Sequence, residues 1–404
     1  MSNPKPFGPI PPEFAQLDAL PWLDIATPAY VYDFAVVRAR IARFRAAMPE
    51  RVALHYAIKA NPFPPLLAAI APLVNGLDVA SAGELDRALD VMAPDTVSFA
   101  GPGKRNSELE AAISTGVTLN LESIAEGQRA LAIGQALGVQ PRLAVRVNPD
   151  FELRGSGMKM GGRASPFGVE SAHIAGLVEL ILREGADWRG LHIFAGSQSL
   201  DTEAIIATQA ATIDLAARLA EECGATPPLV NLGGGFGIPY FPGDAPVDVE
   251  AIDAALGGKL AALPGALSES AFAIELGRWL VGEAGVYLAR VVDRKVSQGE
   301  TFLVVDGGLN HHLAATGNFG TVVRRNYPVA VAHRMQDAAE EVVSIVGPLC
   351  TPLDRLADRV ALPAAQVGDV VAIFASGAYG ATASPSAFLG HPPALEILTE
   401  TQAP

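Results

Sequence analysis

The sequence predicts a (β/α)8 TIM-type barrel followed by a mainly antiparallel β domain, and two observations carry that expectation. Between residues 52 and 276, eight short apolar, β-rich runs alternate with longer amphipathic patterns. Such alternation implies right-handed βαβ units in a parallel sheet. After about residue 283 the helical patterns fade, and strand-like runs follow one another across turn-rich joints. Eight repeats suit a closed barrel, although periodicity alone also fits an open doubly wound sheet. The expected domains are a barrel over 31–283 and a β domain built from 1–30 together with 284–404.

Taken in order, the first 30 residues are rich in proline, and Ala29–Asp33 is a candidate strand that could cross to the β domain. The barrel runs are Val52–Ile58, Gly76–Ala80, Val97–Ala100, Thr118–Leu121, Leu143–Asn148, Gly190–Ala195, Leu229–Leu232 and Ala273–Leu276. Glu84–Met92, Ser107–Ser114, Ile124–Leu137 and Ala204–Glu222 carry helical periodicity between them. Beyond the barrel, Gly285–Val296, Thr301–Asp306, Pro328–His333, Glu341–Val346, Asp369–Phe374 and Ala394–Thr399 read as strands. Ser297-Gln298-Gly299-Glu300 reads as a hairpin turn between the first two.

Bulk properties narrow the function. A chain of 404 residues, half of them hydrophobic and 18% charged, can bury a large core. A net charge of -14 argues against nucleic acid or an anionic membrane as the main partner. The start, Met1-Ser2-Asn3-Pro4-Lys5-Pro6, has no apolar secretory signal, and windows such as Leu66–Val74 are too short to span a bilayer. Two cysteines, Cys223 and Cys350, fit a reducing compartment without a disulfide framework. The expectation is a cytoplasmic protein with a small-molecule substrate.

Barrel enzymes place their chemistry at the C-terminal ends of the strands. Those ends supply Lys59, Asp78, Arg146 with Asn148, His192, the run Gly233-Gly234-Gly235-Phe236-Gly237, and Glu275 with Arg278. Lys59 alone would pass for an ordinary strand-end lysine. Beside so many other polar strand ends it becomes a candidate amine nucleophile. The glycine run follows the seventh strand, where backbone N–H groups of a barrel often cradle phosphate. A lysine nucleophile and a phosphate loop on one rim suggest pyridoxal 5'-phosphate. Glu275 then gains a role, holding a proton on the pyridine nitrogen so that the ring accepts electrons. A plain ion pair to Arg278 would also account for that carboxylate.

Ordered motifs along nearly the whole chain extend the pattern. They are Tyr56-Ala57-Ile58-Lys59-Ala60-Asn61, Ser81-Ala82-Gly83-Glu84-Leu85, Arg146-Val147-Asn148-Pro149, Gly196-Ser197-Gln198 and Leu232 through Gly237. Glu275-Leu276-Gly277-Arg278, Asp306-Gly307-Gly308, Gly347-Pro348-Leu349-Cys350 and Gly377-Ala378-Tyr379-Gly380 follow. With these the chain resembles the fold-type III pyridoxal-phosphate decarboxylases, the diaminopimelate and ornithine decarboxylase group. The resemblance implies that Lys59 forms the Schiff base and that Glu275 faces the pyridine nitrogen. It implies cofactor contacts from Asp78, His192, Phe194, Ser197, Gly233, Gly234, Gly235, Gly237, Gly277, Arg278 and Tyr379. It also implies a homodimer in which Cys350 and Asp354 serve the other subunit's site, the thiol protonating the carbon left after carbon dioxide departs. A buried core cysteine is the bland alternative for Cys350, and Cys223 is read that way.

Three departures from the family pattern bear on substrate. Phe194 stands where a histidine usually stacks on the cofactor ring, and His192 matches a position upstream. Thr351 stands where diaminopimelate decarboxylases carry a glutamate that reads the distal amine. The Arg and Tyr that hold a distal carboxylate are absent, and their region reads Asn310-His311-His312-Leu313-Ala314-Ala315-Thr316-Gly317-Asn318-Phe319. A site without charged readers rejects a zwitterionic end, because its charges would go unpaired. Arg146, His311, His312 and Thr351 are therefore the candidate substrate residues, and no metal site is expected. These features, with the ending Ser386–Pro392, resemble the branch of decarboxylases associated with exosortase clusters. They also resemble the relative that acts on a glutamyl group carried by an acyl carrier protein in butirosin synthesis. That branch implies an amino-acid substrate, with an acyl carrier protein as a candidate partner.

The expected activity is therefore decarboxylation of an amino acid or its derivative through Lys59. The alternatives are diaminopimelate itself as substrate, amino-acid racemisation on the same scaffold, and a non-enzymatic, cofactor-binding regulatory homologue. Racemisation favours a neutral or cationic partner for the pyridine nitrogen, against Glu275. A silent homologue would be expected to lose Lys59, Glu275 or Cys350, and all three are present.

Overall fold

The computed structural model describes residues 3–153, 158–159, 164–317 and 324–400. Asn318 and Phe319 of the substrate-region run lie outside them. The chain divides into two compact units. One comprises Arg40–Gly237 and Pro246–Gly277; the other comprises Met1–Ala39, Ile238–Ala245 and Arg278–Pro404.

After a single helical turn over Pro12–Ala15 come strand β1 (Ala29–Asp33) and helix α1 (Phe34–Ala47). The barrel unit then alternates β2 (Val52–Ala57), α2 (Pro64–Ile70), β3 (Gly76–Val79), α3 (Ala82–Leu89), β4 (Val97–Phe99) and α4 (Asn106–Thr115). It continues through β5 (Thr118–Leu121), α5 (Ile124–Leu137), β6 (Arg142–Asn148), α6 (Ser171–Arg183), β7 (Asp187–Ile193) and α7 (Thr202–Cys223). It ends with β8 (Leu229–Asn231), α8 (Val249–Ala261) and β9 (Ala271–Leu276). Neighbouring strands pair in parallel from β2 to β9, and β9 pairs back onto β2. The ring is closed, so the barrel expectation holds and the open sheet is excluded.

Local chemistry fixes the helix ends. Ser81, Ser123, Asp201 and Asp248 each accept a hydrogen bond from a backbone N–H of the first turn that follows. The strands are buried on both faces, as a barrel wrapped in helices requires, with Leu54, Tyr56, Leu77, Val97, Leu119, Val145, Val230 and Ile274 in the core.

The other unit adds α9 (Arg278–Val281) and strands β10 (Gly285–Ser297), β11 (Glu300–Val305), β12 (Val329–Val331), β13 (Glu341–Val346), β14 (Arg355–Leu362), β15 (Val370–Ile373) and β16 (Leu395–Thr399). The sheet runs β12-β15-β10-β11-β13-β14, and β1 pairs with both β10 and β16. Among the described residues, the parallel strand pairs of this sheet are β11–β13 and β1–β16. Gln298 and Gly299 have φ of 50° and 81°, so the predicted turn is a tight hairpin with both central residues left-handed. Strand β14 has no counterpart in the sequence reading. Its run Arg355-Leu356-Ala357-Asp358-Arg359-Val360-Ala361-Leu362 lacks clean alternation, and its antiparallel pairing with β13 overrides that local pattern. Among the described residues, no helix is long and apolar enough to cross a membrane.

Candidate active site

Lys59 sits two residues beyond β2, in a single 3-10 turn over Ile58–Ala60. Ile58 and Ala60 are buried on either side while Lys59 itself is exposed, so the turn is anchored and its amine is free to react. The Nζ lies 5.7 Å from the centre of the Phe194 ring, just after β7. Gly277 lets the end of β9 lie against this turn. A Cβ there would stand 2.8 Å from the Ala60 Cβ and 3.0 Å from the Ala57 carbonyl oxygen.

Glu275 is buried near the end of β9 and is the electrostatic centre of the barrel group. His192 Nε2 approaches its Oε2 at 2.9 Å. The contact is close but bent. Asn231 Nδ2 donates to the same oxygen at 3.2 Å. Burial alone would raise the Glu275 pKa, but His192, with help from Lys59 and Arg146, holds the carboxylate below its usual range. Asn231 also accepts from the Gly233 N–H at 2.8 Å, which ties the glycine loop to this carboxylate.

The loop after β8 is a backbone cradle. Gly233 and Gly235 have φ of 68° and 82°. A Cβ on Gly234 would fall 1.9 Å from the Glu275 carbonyl oxygen, and one on Gly235 would fall 2.5 Å from that of Gly196. Gly237 lies equally close to Ser199, and Ser197 is half-buried in the segment that Gly235 approaches.

Asp78, in β3, faces His55 of β2, with Oδ1 3.4 Å from Nδ1. Burial opposes charge on His55, yet Asp78 pulls its pKa upward overall. Arg146 sits in a buried ion network. Its Nη1 donates to Glu122 Oε1 at 2.9 Å, and its guanidinium lies over the Phe167 ring. Glu122 also accepts from the Gly101 and Gly168 N–H groups. Lys104 closes the network 2.9 Å from Glu126. Breaking a buried pair leaves one charge stranded. Glu122→Ala is therefore expected to destabilise the fold by about 3–5 kcal/mol, read by urea unfolding; a loss below 1 kcal/mol would contradict this account.

The β unit holds the remaining predicted residues. Arg278 donates to the Tyr240 hydroxyl at 2.7 Å and lies over the Tyr379 ring at 4.7 Å, while its buried Nε has no partner among the described residues. Tyr379 has φ of 58°, a strained left-handed position for a bulky residue. Cys350 is exposed in the turn after β13, and Thr351 beside it is half-buried. Asp354 is buried, its two oxygens accepting the Leu309 and Leu349 N–H groups at 2.6 and 2.8 Å. Burial raises its pKa against those bonds. His311 and His312 are both buried. His311 Nε2 bonds the Pro392 carbonyl oxygen at 2.8 Å, and His312 Nε2 meets the Ser376 hydroxyl at 2.8 Å. Burial pushes the His312 pKa down to about 3, so that ring is neutral.

The family model described as pyridoxal-dependent decarboxylase, pyridoxal binding domain, matches residues 34–282. The chain belongs to the pyridoxal-dependent decarboxylases. This decarboxylase is 35% identical over 379 residues to the L-glutamyl-[BtrI acyl-carrier protein] decarboxylase of Niallia circulans, covering 92% of this chain and 88% of that one. It is 33% identical over 382 residues to the diaminopimelate decarboxylase of Archaeoglobus fulgidus, covering 93% and 88%. Among solved structures, the diaminopimelate decarboxylase of Helicobacter pylori complexed with L-lysine matches with a TM-score of 0.84 and 26% identity, over 94% of this chain and 93% of that one. The decarboxylase uses pyridoxal 5'-phosphate to decarboxylate an amino acid.

The barrel residues suit that cofactor. A glycine cradle that any Cβ would fill, an exposed lysine on an anchored turn and a buried, ionised carboxylate are what an anionic phosphate, an aldehyde and a basic pyridine nitrogen require. Asn231, His55 and Glu122 escaped the sequence reading. The available signal was a polar residue inside an otherwise buried strand or at its end, which for Asn231 and His55 is visible in the runs themselves.

Proposed function

We propose that this decarboxylase acts on an amino acid tethered through its side-chain carboxyl to an acyl carrier protein. One observation carries the reading: the segment where a charged distal reader is expected offers buried, internally bonded histidines, the second of them neutral. A thioester or amide tether brings no charge that needs a partner there, whereas a free zwitterionic end would strand its own. The likeness to a relative whose name specifies a carrier-bound glutamyl substrate supports the same reading.

Pyridoxal phosphate, when bound, supplies a pyridine ring that draws off the electron pair released as carbon dioxide leaves. Lys59 would hold the cofactor through its aldehyde, its amine being the exposed nucleophile of the anchored turn. Glu275 would keep a proton at the pyridine nitrogen, and His192 and Asn231 hold its carboxylate in place. The cradle of Gly233, Gly234, Gly235 and Gly237 binds the phosphate through backbone N–H groups, with Ser197 and Gly277 shaping the approach. Phe194 would offer an apolar face to the cofactor ring without adding a titrating group. Arg278 and Tyr379 are proposed anion partners, and Thr351 a neutral substrate contact. Cys350 is the proposed proton donor to the α-carbon, serving the other subunit of a homodimer. The bonds made by Asp354, Asp78 and Arg146 support positioning roles for these three, Asp354 by fixing the turn that carries Cys350. We place the enzyme in the cytoplasm, in keeping with its two unpaired cysteines.

The test is carbon dioxide release from free amino acids and from the same amino acids loaded on a carrier protein, with cofactor present. Carrier-bound substrate should react at least about 100-fold faster in kcat/KM. Equal rates would overturn the tether, and faster turnover of free diaminopimelate would replace it.

A further inference from the structure

The barrel holds a second, partly open space at the end opposite the chemistry. A cavity of about 190 Å³ is bounded by residues at the starts of β2, β4, β5 and β8, among them Ala53, Val97, Thr118 and Leu229. Apolar surface makes up most of its wall, but polar side chains of His55, Ser98, Asn120, Arg189, His192 and Asn231 reach it. Cavities of this size with such polar groups hold water, whereas dry cavities are apolar.

His192 joins this space to Glu275. Its ring lines the cavity, its Nε2 lies 2.9 Å from Glu275 Oε2, and its Nδ1 is buried with no protein partner among the described residues. A histidine 4% exposed with an unbonded ring nitrogen is a costly arrangement unless something in the cavity bonds that nitrogen. Water is the ligand that both the volume and the lining suit.

We propose that the barrel floor is a water site that positions His192 and links the His192–Glu275 pair to solvent from beneath. A water bonded to Nδ1 fixes the ring so that Nε2 stays on Glu275. It also provides a proton route: as a proton arrives at Nδ1 from water, the one on Nε2 passes to Glu275 Oε2 across the 2.9 Å contact. With cofactor bound on the other side of the pair, exchange through the floor would let Glu275 adjust its proton without cofactor release. Asp78 faces His55 and Arg146 faces Glu122, which leaves His192 as the ring joined to Glu275. The proposal rests on the reading that Glu275 serves the pyridine nitrogen.

The experiment uses substrate-free holoenzyme. Its crystal structure should show ordered water in the floor cavity, one of them within about 3.2 Å of His192 Nδ1; a dry cavity overturns the proposal. Ala144→Leu, which places a larger side chain in the cavity, should slow solvent exchange of the His192 ring proton at least tenfold by nitrogen-15 NMR. It should also shift the bound cofactor's visible band in the same direction as His192→Phe. Wild-type exchange and an unmoved band in Ala144→Leu overturn the proton route. If Ala144→Leu fails to fold, Thr118→Val, which strips a hydroxyl from the cavity wall, is read by the same exchange measurement. Should Glu275→Gln leave the visible band unmoved while the waters are present, the cofactor reading of Glu275 fails instead.

Discussion

Lys59→Ala should abolish carbon dioxide release, by more than about 10³-fold, and remove the visible absorbance of the covalently held cofactor. The side chain is exposed, and the 3-10 turn that carries it is held by buried Ile58 and Ala60 rather than by the amine. Its removal should therefore change unfolding stability by no more than about 0.5 kcal/mol. That separation makes the result interpretable, since the variant keeps its fold and loses its chemistry. Neighbouring amines offer no substitute. Lys104 is buried against Glu126, and Arg146 is engaged by Glu122. Near-parental turnover by a folded variant would remove Lys59 from the mechanism.

The barrel was legible because buried parallel strands and amphipathic helices leave different periods in the sequence, and each boundary falls within a few residues of the expected run. Strand β14 was not, since its pairing with β13 is a long-range fact that its own eight residues do not encode. The candidate site divides in the same way. Lys59, the glycine loop and Glu275 could be found because a strand end that breaks from apolar to polar or glycine is a local signal. What Asn231 does could not be found, because its two bonds reach Glu275 and Gly233 through strand register. The pair His311-His312 shows the converse. Adjacent histidines looked like substrate readers, yet their surroundings in the β unit turn both inward. His312 lies within 6 Å of the Tyr30, Tyr287 and Tyr327 rings, a setting that suits a neutral ring.

Glu275→Gln should lower kcat by about 10²–10³-fold while leaving KM nearly unchanged, because the amide keeps the shape but no longer holds a proton on the pyridine nitrogen. The same variant tests the electrostatics of the folded state. His192, Lys59 and Arg146 outweigh burial and hold the Glu275 carboxylate below its ordinary pKa. A carboxylate depressed in the fold contributes stability above the unfolded pKa and loses it as pH falls through the folded one. The parent should therefore be more stable than Glu275→Gln by up to about 3 kcal/mol near pH 7, with the gap narrowing steadily as the solution is acidified below the usual carboxylate range. Thermal unfolding from pH 3 to pH 8 measures it. A gap that stayed constant with pH would mean that packing, not charge, is what the His192–Glu275 contact contributes. The kinetic loss would then have to be assigned to the cofactor ring alone.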